Sequence, residues 1–343
     1  MKVLVTGGFG NVGRSVVASC LALGDEVSVF DSPIALAKGA KGLKNLIRGR
    51  WESSKLFLGD IRDEAAILKA LENAGWPQAV IHLAALIPPA ADVDEKRTWD
   101  INVGGTKALI EACRKAAVKP KIVLASSIAT YGDRLLDFWI GTEDPPAPTE
   151  TYGVSKVACE AMLKDSGLDF AILRLSYVVW SRWFPFDPLL FSMPPETRIE
   201  IIHTEDAGRA FASAARKDEA TGQVFNIGGG QACRTNFRSY LDRIFLNFGL
   251  GRSDFLPNAA FAAGGFHCGW YKDSDQAETL LQFRSKTLAD FYEEVRWEKR
   301  FARPLIRAVS PFVKAWLRAK SPYLRRPRRH RGGNIRGKPR LSR

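Results

Sequence analysis

Short apolar runs alternate with amphipathic stretches along most of this chain. Lys2-Val-Leu-Val-Thr6 predicts a strand that enters the glycine-rich turn Gly7-Gly8-Phe9-Gly10-Asn11-Val12-Gly13, with a helix over Arg14 to Leu23. Glu26 to Phe30 predicts a second strand ending in Asp31, and Lys55 to Leu58 a third, before Asp63, which is placed to cap a helix carrying Ile67, Leu68 and Leu71. Ala79 to Leu83 reads as the fourth strand, followed by the small residues Ala84 and Ala85. A long helix over Glu95 to Ala117 leads to a fifth strand, Lys121 to Ala125, which ends in Ser126-Ser127. Another helix is expected from near Thr149, and later ones over Asn236–Asn247, Asp275–Leu281 and Thr287–Arg300. Strands alternating with helices predict an α/β fold built on a doubly wound parallel sheet.

The opening turn carries the first candidate chemistry. Gly7 permits a tight turn off the strand, Gly10 removes a Cβ where backbone would approach phosphate, and Gly13 lets the helix sit close to the sheet. The helix start at Asn11, Val12 and Gly13 offers backbone N–H groups and a positive dipole end to a pyrophosphate. Asp31 stands near the spacing of the acid that accepts hydrogen bonds from an adenosine ribose, and a carboxylate there repels a 2′-phosphate. Ser32 and Pro33 follow, so no arginine fork stands beside it, although Lys38, Lys41 and Lys44 come soon after. NAD is therefore preferred as cofactor over NADP. Leu83, Ala84 and Ala85 add a backbone surface on which a flat nicotinamide or ribose can lie.

At 343 residues the chain can bury a large core. Its first strand starts at residue 2, which leaves no room for a signal peptide, and no apolar run approaches a membrane span, so a cytoplasmic address is expected. Five cysteines and four histidines are dispersed singly, a distribution that suits neither a disulfide framework nor a metal site. The formal net charge of +13 is concentrated at one end: residues 301–343 hold 14 Lys/Arg and no Asp/Glu, leaving 36 Lys/Arg and 37 Asp/Glu in residues 1–300.

Tyr152-Gly-Val-Ser-Lys156 follows the proline-rich stretch Asp144 to Pro148. Residues four apart share a helical face, so Tyr152 and Lys156 project together, and an ammonium beside a phenol favours phenolate. Tyr152 becomes a candidate base, with Lys156 as its electrostatic partner and Ser127 as the hydroxyl that holds a substrate oxygen. Asn102, inside the long helix, is read either as a polar clasp on a neighbouring strand or as a catalytic amide.

With these motifs in place, the chain resembles the extended short-chain dehydrogenase/reductase family, which includes nucleoside-diphosphate-sugar epimerases and dehydratases. The likeness covers about residues 1–230. It rests on Thr6-Gly-Gly-Phe-Gly-Asn-Val-Gly13, Gly59-Asp-Ile-Arg-Asp63, His82-Leu-Ala-Ala85, Asn102-Val-Gly-Gly-Thr106, Ser126-Ser127 before Tyr131-Gly132, and Tyr152-Gly-Val-Ser-Lys156 with Glu160. Arg174 to Val178, Ile202 to Ala210 and Phe225 to Gly228 resemble later landmarks in order. The resemblance implies a Rossmann-like NAD domain over 1–176 and a substrate lobe over 177–300, with a segment near 201–228 returning to the first domain. It also implies Ser127, Tyr152 and Lys156 as a catalytic triad, Asp31 on the adenosine ribose, Asp60 and Ile61 near the adenine, and helices flanking the sheet that could form a homodimer.

One departure restricts the chemistry. Sugar 4,6-dehydratases of the family carry an Asp-Glu pair directly after the catalytic hydroxyl residue, where this chain has Ile128 and Ala129, so dehydration of that kind is not expected. Three functions stay open: an NAD-dependent epimerase or related oxidoreductase acting on a nucleotide sugar, a net NAD(P)-dependent dehydrogenase or reductase of a lipid-like or sterol-like alcohol, and a non-catalytic NAD-binding protein. Trp180 to Pro188, aromatic and proline-rich with Arg182, suits either stacking on a nucleotide diphosphate or packing as a lid. Gly264 to Tyr271 could close over a substrate, with His267 as a polar contact but outside the catalytic set.

Beyond residue 300 a basic amphipathic helix is expected. Leu305, Val309, Phe312 and Trp316 recur at helical spacing with Ile306, Val313 and Leu317 alongside, and Pro311 would kink or split the helix. Its apolar stripe suits docking on the enzyme body or a second subunit, or lying in an anionic membrane interface, which would make the protein peripheral there. Arg325 through Arg343 is too charged to fold alone, and specific nucleic-acid recognition is not expected.

Overall fold

The computed structural model describes residues 1–37, 55–181 and 188–324, the side chains of 188 and 189 excepted. Its centre is a seven-stranded sheet of β1 (Lys2–Thr6), β2 (Glu26–Asp31), β3 (Lys55–Leu58), β4 (Ala79–His82), β5 (Lys121–Ser127), β7 (Phe170–Leu175) and β10 (Gln223–Ile227). All neighbours pair in parallel, in the order β10-β7-β5-β4-β1-β2-β3. Helices cover both faces, so the strands are apolar almost throughout rather than alternating. Val3, Val5, Val27 and Val29 turn to one face, where they pack with α1 (Asn11–Ala22) and the helix Thr204–Arg216. Leu4, Phe30 and Val80 turn to the other, against α2 (Glu64–Asn73) and the helices Gly105–Lys115 and Thr151–Lys164.

The order of strands reverses between β1 and β4, which opens a crevice at the carboxyl ends of those strands. Gly7, at φ +74°, makes the sharp exit from β1, and a Cβ there would fall 2.7 Å from the Ala84 nitrogen. A Cβ on Gly13 would lie 2.1 Å from the Gly7 carbonyl oxygen, so the junction of turn and helix closes only around glycine. The first helix begins at Asn11, three residues before the expected Arg14, because Gly10 serves as its N-cap. Asp63 caps α2 as its spacing predicted, accepting from the Ala66 amide at 3.0 Å.

The single helix expected over 95–117 is instead α3 (Glu95–Trp99), a π-helical segment Asp100–Gly104 and α4 (Gly105–Lys115). Asn102 lies in the π segment. Its Oδ1 accepts from the Leu86 amide at 2.7 Å, while Nδ2 donates to the Leu86 carbonyl at 3.1 Å and to Ser155 Oγ at 3.0 Å. Both amide hydrogens are thus engaged by protein, and the side chain fastens the segment after β4 to α5 (Thr151–Lys164), the clasp of the two readings.

A second core forms around a small sheet of β8 (Tyr177–Val179), β9 (Arg198–His203) and β11 (Arg234–Asn236). Phe191, Ile199, Phe237, Leu241, Phe245 and Phe291 are buried in it. The remaining small pairing, β6 (Trp139–Ile140) with β12 (Trp270–Tyr271), lies over the end of β5 and draws in the segment that contains His267.

Candidate active site

Tyr152 and Lys156 lie on α5, one turn apart and facing the end of β5. The Tyr152 phenol lies beside Ser127, and Lys156 Nζ stands 5.8 Å from the centre of the phenol ring. The ammonium donates to the Ala125 carbonyl at 2.8 Å, tying the helix to the strand that carries the serine. Burial dominates the electrostatics. It pushes the phenol up to about 12 against the opposing pull of Ser127, and it lowers Lys156 from the usual lysine range. The phenol is thus raised by burial, not lowered as its lysine neighbour led us to expect, and it holds its proton until more positive charge stands beside it.

The two serines at the end of β5 separate cleanly. Ser126 Oγ donates to Glu160 Oε1 at 2.5 Å and so belongs to a buried network rather than to the cleft. Glu160 is held by Arg174 through Nε at 2.9 Å and Nη2 at 2.6 Å, and Arg174 Nη1 reaches the Tyr131 hydroxyl at 2.7 Å. Tyr131 donates to Asn226 Oδ1 at 2.8 Å, and Asn226 Nδ2 to Asp273 Oδ1 at 2.9 Å. This chain of charge-assisted bonds joins α5, β7, β10 and the β6–β12 pair behind the cleft. Its spacing in sequence offered no sign of these contacts, since directly bonded members lie as far as 95 residues apart.

On the other side of the crevice Asp31 braces the glycine turn: Oδ2 accepts from the Phe9 amide at 2.9 Å and Oδ1 from the Ser32 amide at 2.8 Å. Burial raises its carboxyl above the ordinary range, while those two amides pull the other way. Asn11, Val12 and Gly13 form the first turn of α1, whose N-cap Gly10 has no side chain to cover their N–H groups. Trp180 stacks against Arg14 of that turn, at 4.8 Å, so the aromatic segment starts over the glycine loop; Arg182 and the next five positions lie outside the described residues. Asp60 grips Arg62 with both oxygens, at 2.9 and 3.1 Å from Nε. Ile61 turns its side chain into the core, leaving only its backbone for the crevice. Leu83 and Ala84 follow β4 against the turn, with their amides directed at the Thr6 carbonyl, 3.1 Å, and the Thr6 hydroxyl, 3.4 Å. Ala85 comes next, half-buried.

His82, one residue earlier, is fully enclosed. Thr106 donates to the Asn102 carbonyl at 2.6 Å, so its oxygen can only accept from His82 Nε2, 3.1 Å away, and Thr6 must donate to Nδ1 at 2.7 Å. Burial, and secondarily Lys156, pushes the imidazole down to about 3. In the unfolded chain it titrates near 6.5. Between those values only the unfolded state binds the proton, so lowering pH from 6.5 destabilises the fold by about 1.4 kcal/mol per unit. Urea unfolding at pH 6.5 and 5 should show a fall in stability about 2 kcal/mol larger for wild type than for His82→Gln; equal slopes would mean that the native imidazole is protonated.

Two further groupings were not legible in the sequence. His203, Glu205 and Glu294 converge, but Lys286 Nζ already ion-pairs with both carboxylates, at 2.6 and 2.5 Å, where a metal would sit. His267 Nδ1 lies 3.3 Å from Glu150 Oε2, at the start of α5.

A sequence profile described as the NAD dependent epimerase/dehydratase family matches residues 3–182, which include the glycine turn, the serine pair and the Tyr152–Lys156 helix. The chain belongs to that family. Among curated members, a UDP-glucose 4-epimerase of Streptomyces lividans is 36% identical over 163 residues, covering 47% of this chain and 46% of that protein. A D-erythronate dehydrogenase of Cupriavidus necator is 29% identical over 188 residues, covering 51% and 54%. The chain thus spans about half the length of the curated relatives it matches. The fold extends the likeness: the structure of UDP-glucose 4-epimerase from Thermotoga maritima with UDP-glucose superposes at TM-score 0.71 and 24% identity, over 89% of this chain and 100% of that one. UDP-glucuronic acid 4-epimerase from Bacillus cereus, solved with UDP-glucuronic acid and NAD, gives 0.72 at 22% identity, over 88% and 100%.

Proposed function

We propose that this member of the epimerase/dehydratase family uses NAD to transform a hydroxyl-bearing carbon of a nucleotide sugar, with Ser127, Tyr152 and Lys156 as its catalytic residues. The convergence of Ser127 and Tyr152 at the end of β5 carries the reading, because it brings two hydroxyl groups to one place where a substrate oxygen can bridge them. The glycine turn fits the cofactor. Gly7 lies against Leu83 and Ala84, just past β4, and Gly13 against Gly7, where a Cβ on either would collide, and Asn11, Val12 and Gly13 present N–H groups to a pyrophosphate. Asp31, beside the turn, would take the adenosine ribose, and the backbone of Asp60 and Ile61 the adenine edge; Leu83 to Ala85 would support the nicotinamide half.

NAD bound there supplies an acceptor for the hydrogen removed from carbon and a positive ring close to the phenol. Tyr152, as phenolate, takes the hydroxyl proton and becomes the phenol while Ser127 holds the same oxygen; Lys156 stabilises the phenolate before the transfer, countering the burial that otherwise keeps the phenol protonated. With Ile128 and Ala129 in place of an acid–base pair, no group beside Ser127 serves the elimination of water. Return of the hydrogen to the opposite face gives an epimer; its retention gives a net oxidation, which the D-erythronate dehydrogenase relative keeps as a second reading.

Incubation with NAD and a panel of UDP-sugars, following nicotinamide absorbance and sugar composition together, tests the proposal. Isomerised sugar without accumulating NADH is expected. NADH rising in step with product would replace epimerisation by dehydrogenation, and no reaction with any nucleotide sugar would remove this substrate class.

A further inference from the structure

The C-terminal helices show two unlike faces. Pro311 divides them as expected, giving α10 (Arg303–Ala308) and α11 (Ser310–Lys320), after α9 (Leu288–Glu298). Helical hydrogen bonds cross both breaks, from Arg303 to Lys299 at 2.8 Å and from Val313 to Val309 at 3.2 Å, so the three helices keep a shared periodicity. One side docks on the second core. Leu317 is 1% exposed there, with Ile306 and Val313 beside it. Arg318 and Ser321 anchor it further, donating to the carbonyls of Phe255 at 2.9 Å and Ala260 at 2.6 Å.

The stripe singled out in sequence lies on the other side. Phe301 is 82% and Phe312 78% exposed, and Trp297, Leu305 and Val309 continue the row at steps of three or four residues. The body has therefore already taken its apolar contacts from Ile306, Val313 and Leu317, and a second apolar face remains in water. Cations accompany it at the level of the rings: Arg300 lies 3.7 Å from the Trp297 ring centre and 4.4 Å from that of Phe301, and Lys320 lies 5.4 Å from that of Trp316.

We infer that this face is a docking surface for anionic phospholipid membranes, with the aromatic row sunk to the acyl boundary and the flanking Arg and Lys at the phosphates. Charge selects the occupant. From Phe301 to residue 324 the helices carry Arg303, Arg307, Lys314, Arg318 and Lys320 and no Asp/Glu, so a second copy meeting that stretch about a twofold axis would set cation against cation. An anionic headgroup layer complements both the row and its flanks, and the charge also draws the protein to the surface from solution. The assignment does not depend on the reaction proposed above.

Flotation of the full chain with phosphatidylglycerol-containing vesicles, beside pure phosphatidylcholine vesicles, tests this. Wild type should float with the first and stay behind with the second. Phe301→Ser/Phe312→Ser, two exposed positions outside the crevice, should bind about tenfold or more weakly, with unchanged thermal midpoint and nicotinamide-cofactor binding. Brominated acyl chains should quench tryptophan emission in wild type and far less in the double variant. Failure of wild type to float would overturn the inference, as would equal flotation of the double variant, which would leave charge alone as the cause. It would equally fall if wild type self-associated on a sizing column and the double variant did not, or if wild type bound RNA but no vesicles.

Discussion

Tyr152→Phe is expected to lower kcat by on the order of 10²–10⁴-fold while leaving the affinity for NAD unchanged within about twofold. The substitution removes one hydroxyl and keeps the ring that packs against Lys156. Ser127 remains to hold the substrate oxygen, so binding should suffer less than turnover, and KM should change little beside kcat. Cofactor titration by fluorescence with steady-state rates on the same preparation separates these outcomes. A variant retaining full activity would remove Tyr152 from the chemistry; one losing NAD binding as well would place the residue in the fold rather than the reaction. The high pKa of the phenol adds a second handle. With burial holding it near 12, the base form depends on positive charge, so Lys156→Met should depress turnover most at low pH, where the shortage of phenolate is greatest.

Arg174→Met should destabilise the protein by about 3–5 kcal/mol, a fall of several degrees in melting temperature. Glu160 would be left as a buried carboxylate hydrogen-bonded to Ser126 with Lys156 as its remaining cation, and the Tyr131 hydroxyl would lose its donor. The paired change Glu160→Met/Arg174→Met removes both charges and should cost less than the single one, because the penalty comes from the abandoned charge rather than from the lost attraction. Thermal unfolding of the three proteins decides it. A single variant within about 1 kcal/mol of wild type would mean that water reaches Glu160.

Much of this architecture was legible because its causes are local. The strand ending in Asp31, the cap at Asp63 and the pairing of Tyr152 with Lys156 all follow from neighbours a few residues apart, and the structure places them accordingly. Where contacts are distant in sequence, the reading stopped. Nothing near Ser126 announces that Glu160 will claim it while Ser127 stays in the crevice, and the choice depends on which way the alternation of β5 points each side chain. The C-terminal stripe was left open between several partners for a related reason. Helical spacing marks two rows of apolar residues on α10 and α11, but which row meets the body depends on the shape of the second core.

The bond from Lys156 to the Ala125 carbonyl has a consequence for how such a protein can diverge. It welds the proposed reacting groups to one strand and one helix packed on the central sheet, while the aromatic segment from Trp180 and β12 arise from later, separate stretches of chain. Insertions and replacements in those stretches leave the weld untouched. Descendants can therefore acquire new substrates by rebuilding the outer lobe, inheriting the reaction intact.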